Sequence, residues 1–295
     1  MPRAFRGPNI RAFQARFPDE DTCLTHLMRV RYGERLTCFK CHKQATYYRV
    51  KARRSFECEH CGYQVYPTAG TPFESTRTPL RDWFFVMFLF CASRNGVAAK
   101  EVERQLGVTY KTAWRMCRLI RLYMGYVDGD APMGGPGKTI EVDETFIGGV
   151  RSVDEPENKA TVLGIVERGG DVVTRHVPNR LARTLVPHIV KFVKPGTKIK
   201  TDEWSGYRSL TERHGYDHET VDHSKKEYVR GSAHTNTIEA FWANVKRGIK
   251  GTYVHVSKKH LQTYLREFEY RHNLRHAPYL MFDCLLAAFP KVRLG

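Results

Sequence analysis

Cys38-Phe-Lys-Cys41 and Cys58-Glu-His-Cys61, separated by sixteen residues, constrain this chain more than any other feature. Two such pairs at this spacing point to two hairpin knuckles whose four thiolates close around one tetrahedral Zn²⁺, a zinc ribbon. A disulfide pair or redox motif is the competing reading, and the repetition of the pair at this spacing disfavours it. All four ligands come from protein, so the zinc is structural rather than catalytic. Ala45, Tyr47, Tyr48 and Val50, then Ser55, Phe56 and Glu57, alternate as strands around a basic turn at residues 51–54. His42 and His60 are neighbours of the site rather than ligands. Cys23, Cys91, Cys117 and Cys284 are scattered in apolar contexts and read as core, as expected in a reducing compartment.

At 295 residues the chain can bury a sizeable core in two or three domains. A formal net charge of +17, spread along the chain, favours a polyanionic partner over an acidic metabolite. The most apolar run, residues 83–92, is too short to span a bilayer, and the basic N-terminus lacks the apolar core of a secretory signal. The expectation is a cytoplasmic, nucleoid-associated protein with no membrane partner.

Asp19 to Arg31 reads as a helix with Cys23, Leu24, Leu27 and Met28 on one face, and residues 62–80, with three prolines, as a linker. An apolar helix follows over residues 80–93. Residues 98–106, a turn at Gly107-Val108 and a helix from Thr109 have the pattern of a helix-turn-helix, with Lys111 and Arg115 placed to touch DNA. Its competitor is a plain pair of packed helices. Gly- and Pro-rich residues 125–138 mark a boundary. Beyond it the pattern is strand (139–149), strand (161–167), strand (171–177), helix (181–193), strand (198–202), a short strand near 219–223, and helices at 234–248, 258–273 and 279–289. The division expected is residues 1–66 for the N-terminal helix and ribbon, 67–130 for a helical DNA-binding region and 131–295 for an α/β catalytic domain with its C-terminal helices.

In that last domain Asp143 ends the first strand, Asp202 ends the fourth and Glu239 lies on a late amphipathic helix that buries Ile238, Phe241, Trp242 and Val245. This is the order of a ribonuclease-H-like domain with a mixed sheet. Three converging carboxylates repel one another unless divalent cations bind, and hard oxygen ligands suit Mg²⁺ or Mn²⁺. Two ions can activate a water or a 3′-hydroxyl and stabilise the leaving oxygen of an in-line phosphoryl displacement. Glu144 and Glu203 adjoin the acids but alternate away from them. Thr235 or Asn236 can cap the helix. Lys246 follows Glu239 by two turns, roughly 10 Å along the same side.

The motifs Glu141-Val-Asp143-Glu-Thr-Phe-Ile-Gly-Gly149, Thr201-Asp202-Glu-Trp-Ser-Gly-Tyr207, His234-Thr-Asn-Thr-Ile-Glu-Ala-Phe-Trp242 through Lys246 to Tyr253, and Glu267-Phe-Glu-Tyr-Arg-His-Asn273 resemble the zinc-ribbon DDE transposases of small bacterial insertion sequences, the ISXO-like group related to Merlin elements. The resemblance covers nearly the whole chain. It implies double-stranded DNA as partner, both terminal inverted repeats and target, a homodimer or higher homo-oligomer on that DNA, and a site in which Asp143 and Asp202 are the first two ligands of two Mg²⁺ (or Mn²⁺) ions. The third ligand is Glu239, with Asn236 one turn away as its rival, because related transposases vary at this place. Lys246 then serves the phosphate backbone or terminal bases. A domesticated, non-catalytic DNA-binding regulator and a cleavage-only nuclease or resolvase are the alternatives.

Overall fold

The computed structural model describes residues 9–148, 159–202, 207, 209–221, 236–291 and 294. Glu203 and Thr235 lie outside the described residues. The chain divides into two compact units, Met1–Tyr123 with Ala277–Gly295, and Met124–His276. The C-terminal helix thus groups with the N-terminal unit, whereas the sequence reading carries the catalytic domain through to residue 295.

The first unit opens with α1 (Ile10–Arg16) and α2 (Glu20–Tyr32), each begun by a local side-chain cap, Asn9 and Asp19. The ribbon strands β1 (Leu36–Thr37), β2 (Gln44–Ala45), β3 (Tyr47–Val50), β4 (Ser55–Cys58) and β5 (Gln64–Val65) pair antiparallel as β1-β2 and β3-β4-β5. Helices α3 (Leu80–Ala92), α4 (Ala99–Leu106) and α5 (Tyr110–Asp128) follow, the residues of α5 from Met124 on belonging to the second unit, and α10 (Leu280–Ala288) completes the first. An aromatic core holds it: Phe17 meets Phe84 at 5.0 Å, Phe13 stacks on Phe88 at 5.2 Å, and Phe289 stacks on Tyr123 at 3.8 Å between ring centroids.

Residues 62–80 are not the open linker expected from their prolines. Phe73 is fully buried against Trp83 and Phe289, and the Arg31 guanidinium donates to the carbonyls of Pro67 and Ala69. Buried Phe73 and satisfied carbonyls make this stretch part of the core. The prolines shape turns within it.

The second unit is built on a five-stranded sheet ordered β10-β9-β6-β7-β8. β6 (Thr139–Ile147), β7 (Ala160–Glu167) and β8 (Val172–Val177) form an antiparallel meander, and β9 (Lys198–Asp202) and β10 (Asp217–Val221) add in parallel on the other side of β6. One face packs on α6 (Ala182–Phe192) through Ile140, Val142, Leu163, Ile165 and Ile199, with Leu210 of the short α7 (Ser209–His214) in the same core. The other face packs on α8 (Asn236–Gly248) and α9 (Lys258–Asn273) through Val162, Val166, Ile238, Trp242 and Leu265. A π-helical turn, Ile249–Tyr253, continues α8.

β8 is an edge strand whose outward backbone groups need partners. Gln262, Glu269 and Asn273 of α9 provide them, accepting from the amides of His176, Thr174 and Val172 at 2.8, 2.6 and 2.8 Å. The acidic tail motif therefore seals the sheet.

After α5, Arg266 holds Asp130 and the buried Glu269, while Asn273 Nδ2 donates to both oxygens of Asp128 at 2.9 and 3.1 Å. Burial, with Glu269 and Asp171 nearby, pushes the Asp128 carboxyl up to about 7 despite the Asn273 bonds. Between the ordinary carboxyl value and about 7 the folded chain holds a proton that the unfolded chain releases, so this group lowers stability as pH rises. Asp128→Asn should therefore gain melting temperature over the parent increasingly from pH 4.5 to 8. A gap between the two curves that is constant with pH would contradict the assignment.

Candidate functional site

The ribbon's sulfurs stand ready for metal. The four Sγ atoms lie within 4.8 Å of one another, with Cys38–Cys61 at 3.6 Å and Cys41–Cys58 at 3.9 Å. A tetrahedral ion with Zn–S near about 2.3 Å separates its sulfurs by about 3.8 Å, so zinc fits, whereas a disulfide needs about 2.05 Å. The Lys40 amide points at Cys38 Sγ from 3.4 Å, a contact that favours the thiolate form. Among the described residues this is the one such cluster of cysteine, histidine or acidic ligands.

The second constellation surrounds β6. Odd-numbered β6 residues face α8, and even-numbered ones face α6 and α7. Asp143 accepts from the indole Nε1 of Trp242 on α8 at 3.0 Å, while Glu144 on the opposite face accepts from the buried Tyr207 hydroxyl. Asp143 does not end its strand, as the sequence reading had it. β6 runs on to Ile147, paired with β7 as far as Ile147↔Ala160, but its pairing with β9 stops at Glu141↔Lys200. Asp143 thus sits where β9 parts from β6. Carrying the same register on sets Asp143 beside Asp202, the last residue of β9, whose side chain lies outside the described residues.

Sequence reasoning missed Glu141. It is fully buried, two residues before Asp143 on the same face. Its Oε2 accepts from the amides of Thr237 and Ile238 at 2.9 and 3.0 Å, and its Oε1 from Arg168 Nε at 2.7 Å. The start of α8, with its unpaired amides and positive dipole end, is thereby anchored on a carboxylate of the sheet. A glutamate in a strand carries no sequence mark of this duty, since caps are sought next to the helix.

Two anchors fix how α8 lies on β6: Glu141 at Thr237 and Ile238, Asp143 at Trp242. Glu239 falls between them and is exposed, one turn before Trp242; Asn236, also exposed, precedes the first anchor. Lys246 is exposed in the last turn of α8.

In the first unit, Gly107 ends α4 in the left-handed conformation (φ 65°), and Thr109 Oγ1 accepts from the Thr112 amide at 3.3 Å to start α5. Lys111 and Arg115 are exposed on α5, the Arg115 guanidinium 5.9 Å from the Trp83 ring centroid.

Comparison with known proteins decides the family. Residues 134–273 match the ISXO2-like transposase domain, and residues 18–64 match the transposase zinc-ribbon domain. The chain belongs to the ISXO2-like, zinc-ribbon transposases. An uncharacterized protein of the transposable element ISH50 from Halobacterium salinarum is 26% identical to this transposase over 288 residues, 89% of this chain and 94% of the relative. An uncharacterized transposase-like protein of Haemophilus influenzae is 32% identical over 102 residues, 35% of this chain and 80% of the relative. The two matched segments of the transposase contain both constellations: the four cysteines in the first, and Asp143, Asp202, Asn236, Glu239 and Lys246 in the second. Among the described residues no helix is long and apolar enough to cross a membrane.

Proposed function

We propose that this chain binds the terminal inverted repeats of an insertion sequence and catalyses their metal-dependent cleavage and strand transfer into target DNA, acting as a homo-oligomer on the cytoplasmic nucleoid. The observation that carries the reading is the placement of α8 on β6. The helix bearing Glu239 is held against the strand bearing Asp143, next to the end of the strand bearing Asp202. The order of strands, a three-stranded meander with two parallel strands added beside β6, supports a ribonuclease-H-like domain.

Asp143, Asp202 and Glu239 form an all-oxygen donor set that suits Mg²⁺ or Mn²⁺. These three residues would hold two such ions, which would supply activation of the attacking water or 3′-hydroxyl and stabilisation of the leaving oxygen. In this reading Asp143 and Asp202, on adjacent strands, supply one side of the reaction centre, and Glu239, on the helix that Trp242 ties to Asp143, supplies the third carboxylate. Glu239 is favoured over Asn236 because it lies between the two anchors of α8. Lys246, two turns on, holds the phosphate backbone or terminal base of the bound end. Incubating the purified protein with labelled, flanked element ends and Mg²⁺ tests this reading. Cleavage at the element boundary is expected; ends that are bound but left intact would instead make the chain a binding regulator.

The α4–turn–α5 pair supports a helix-turn-helix, with Lys111 and Arg115 at phosphates or bases of the end. Each lost phosphate contact should lower the slope of log affinity against log salt by about 0.9. Lys111→Ala and Arg115→Ala are expected to weaken end binding and flatten that slope in a mobility-shift titration. Parental affinity and slope in both variants would remove α5 from the DNA interface.

A further inference from the structure

We infer that Trp242 is a positioning residue for the Asp143 carboxylate: its indole N–H holds one carboxylate oxygen and so fixes how the carboxylate is presented to a divalent cation. This rests on the reading of Asp143 as a metal ligand. Trp242 occupies a core position of α8, 3% exposed, beside Ile238, Phe241 and Val245. Packing alone would be served there by any large apolar side chain. An indole brings an N–H that must find an acceptor when buried, and the acceptor is Asp143 Oδ2, 3.0 Å away and 99 residues distant in sequence.

The surroundings are shaped for this contact. Gly164 of β7 lies directly opposite Asp143 in the sheet register. A Cβ at Gly164 would come within 2.4 Å of Trp242 Cζ2 and 2.8 Å of Ile238 Cδ1, so only glycine lets the ring lie over β7 and reach Asp143. The Glu141 anchor at the start of α8 then stops the helix from sliding and carrying the indole away. Carboxylate ligands are commonly steadied by a hydrogen bond from outside the coordination sphere, and loss of such a partner costs about ten- to a hundredfold in metal affinity or activity.

The test replaces the Trp242 indole by benzothiophene, which keeps the shape and deletes the N–H, beside Trp242→Phe and Gly164→Ala. Mn²⁺ binding is followed by the paramagnetic resonance signal of the free ion, together with the Mg²⁺ dependence of end cleavage, melting temperature and end binding. The expected result is Mn²⁺ affinity about tenfold or more below the parent and a matching rise in the Mg²⁺ needed for half-maximal cleavage, with melting and end binding retained in the benzothiophene protein. Parental Mn²⁺ affinity in that protein overturns the inference, whatever its melting temperature, and reduces the contact to packing. Asp143→Asn separates the two levels. If it too binds Mn²⁺ normally, the metal-site reading fails; if it alone loses Mn²⁺, only the role of Trp242 fails.

Discussion

Cys58→Ser should release the zinc and unfold the ribbon. The small core around the metal contains Cys38, Ala45 and Cys58, with Cys41, Tyr47 and Cys61 against it, so four of its six members are the ligands themselves. Little apolar area remains to hold β1–β4 once the ion leaves. In small zinc modules metal binding supplies about 10–16 kcal/mol that is in effect folding energy. Loss of stoichiometric zinc, loss of the amide signals of residues 36–65 and loss of specific end binding are expected together, and a strong chelator should reproduce all three in the parent. A variant that keeps one zinc per chain would show that the four cysteines are not the ligand set.

Asp143→Asn, Asp202→Asn and Glu239→Gln should each lower cleavage and strand transfer by on the order of a thousandfold, as when one stabiliser of developing charge is removed from an enzyme site. End binding should survive, because the DNA-binding surface proposed for α5 lies in the other compact unit. Asn236→Ala should reduce activity far less than Glu239→Gln. The reverse ranking, in folded protein that still binds ends, would move the third ligand one turn toward the start of α8. Lys246→Ala should weaken engagement of the cleaved end while leaving Mn²⁺ binding unchanged.

These two effects arise from features of very different visibility in the sequence. The cysteine spacing names its ligand chemistry outright, because four soft donors in two tight pairs have few other uses. Strands β6 to β8 are legible as short β-branched, apolar runs and from the glycines near their ends, and α8 from its buried stripe Ile238, Phe241, Trp242 and Val245. Long-range hydrogen bonds were not legible. The start of α3 shows this: Pro79 offers no side-chain cap, and the amides of Leu80 and Arg81 are met by Glu20, sixty residues earlier. Glu141 does the same for α8, and Gln262, Glu269 and Asn273 do it for the edge of β8. Each is a polar residue whose partner is a backbone group supplied by tertiary structure, so local pattern reads it as surface or as a spare acid. Trp242 reads only as core for the same reason. Its packing face is periodic and visible, but its N–H partner lies on another strand. The short α7 leaves no mark because six residues carry too little period to register, and residues 62–80 read as a linker because proline marks a turn without saying whether the turn is buried.

The central claim, that Asp143 and its companions perform strand transfer on DNA, is tested most directly by mixing the protein with pre-cut element ends, a supercoiled target plasmid and Mg²⁺, and measuring end-to-target joints. The proposed chemistry predicts joined product from the parent protein, none with chelator and none with Asp143→Asn. Bound ends that remain unjoined in both Mg²⁺ and Mn²⁺, or joints that form equally well with Asp143→Asn, would contradict it.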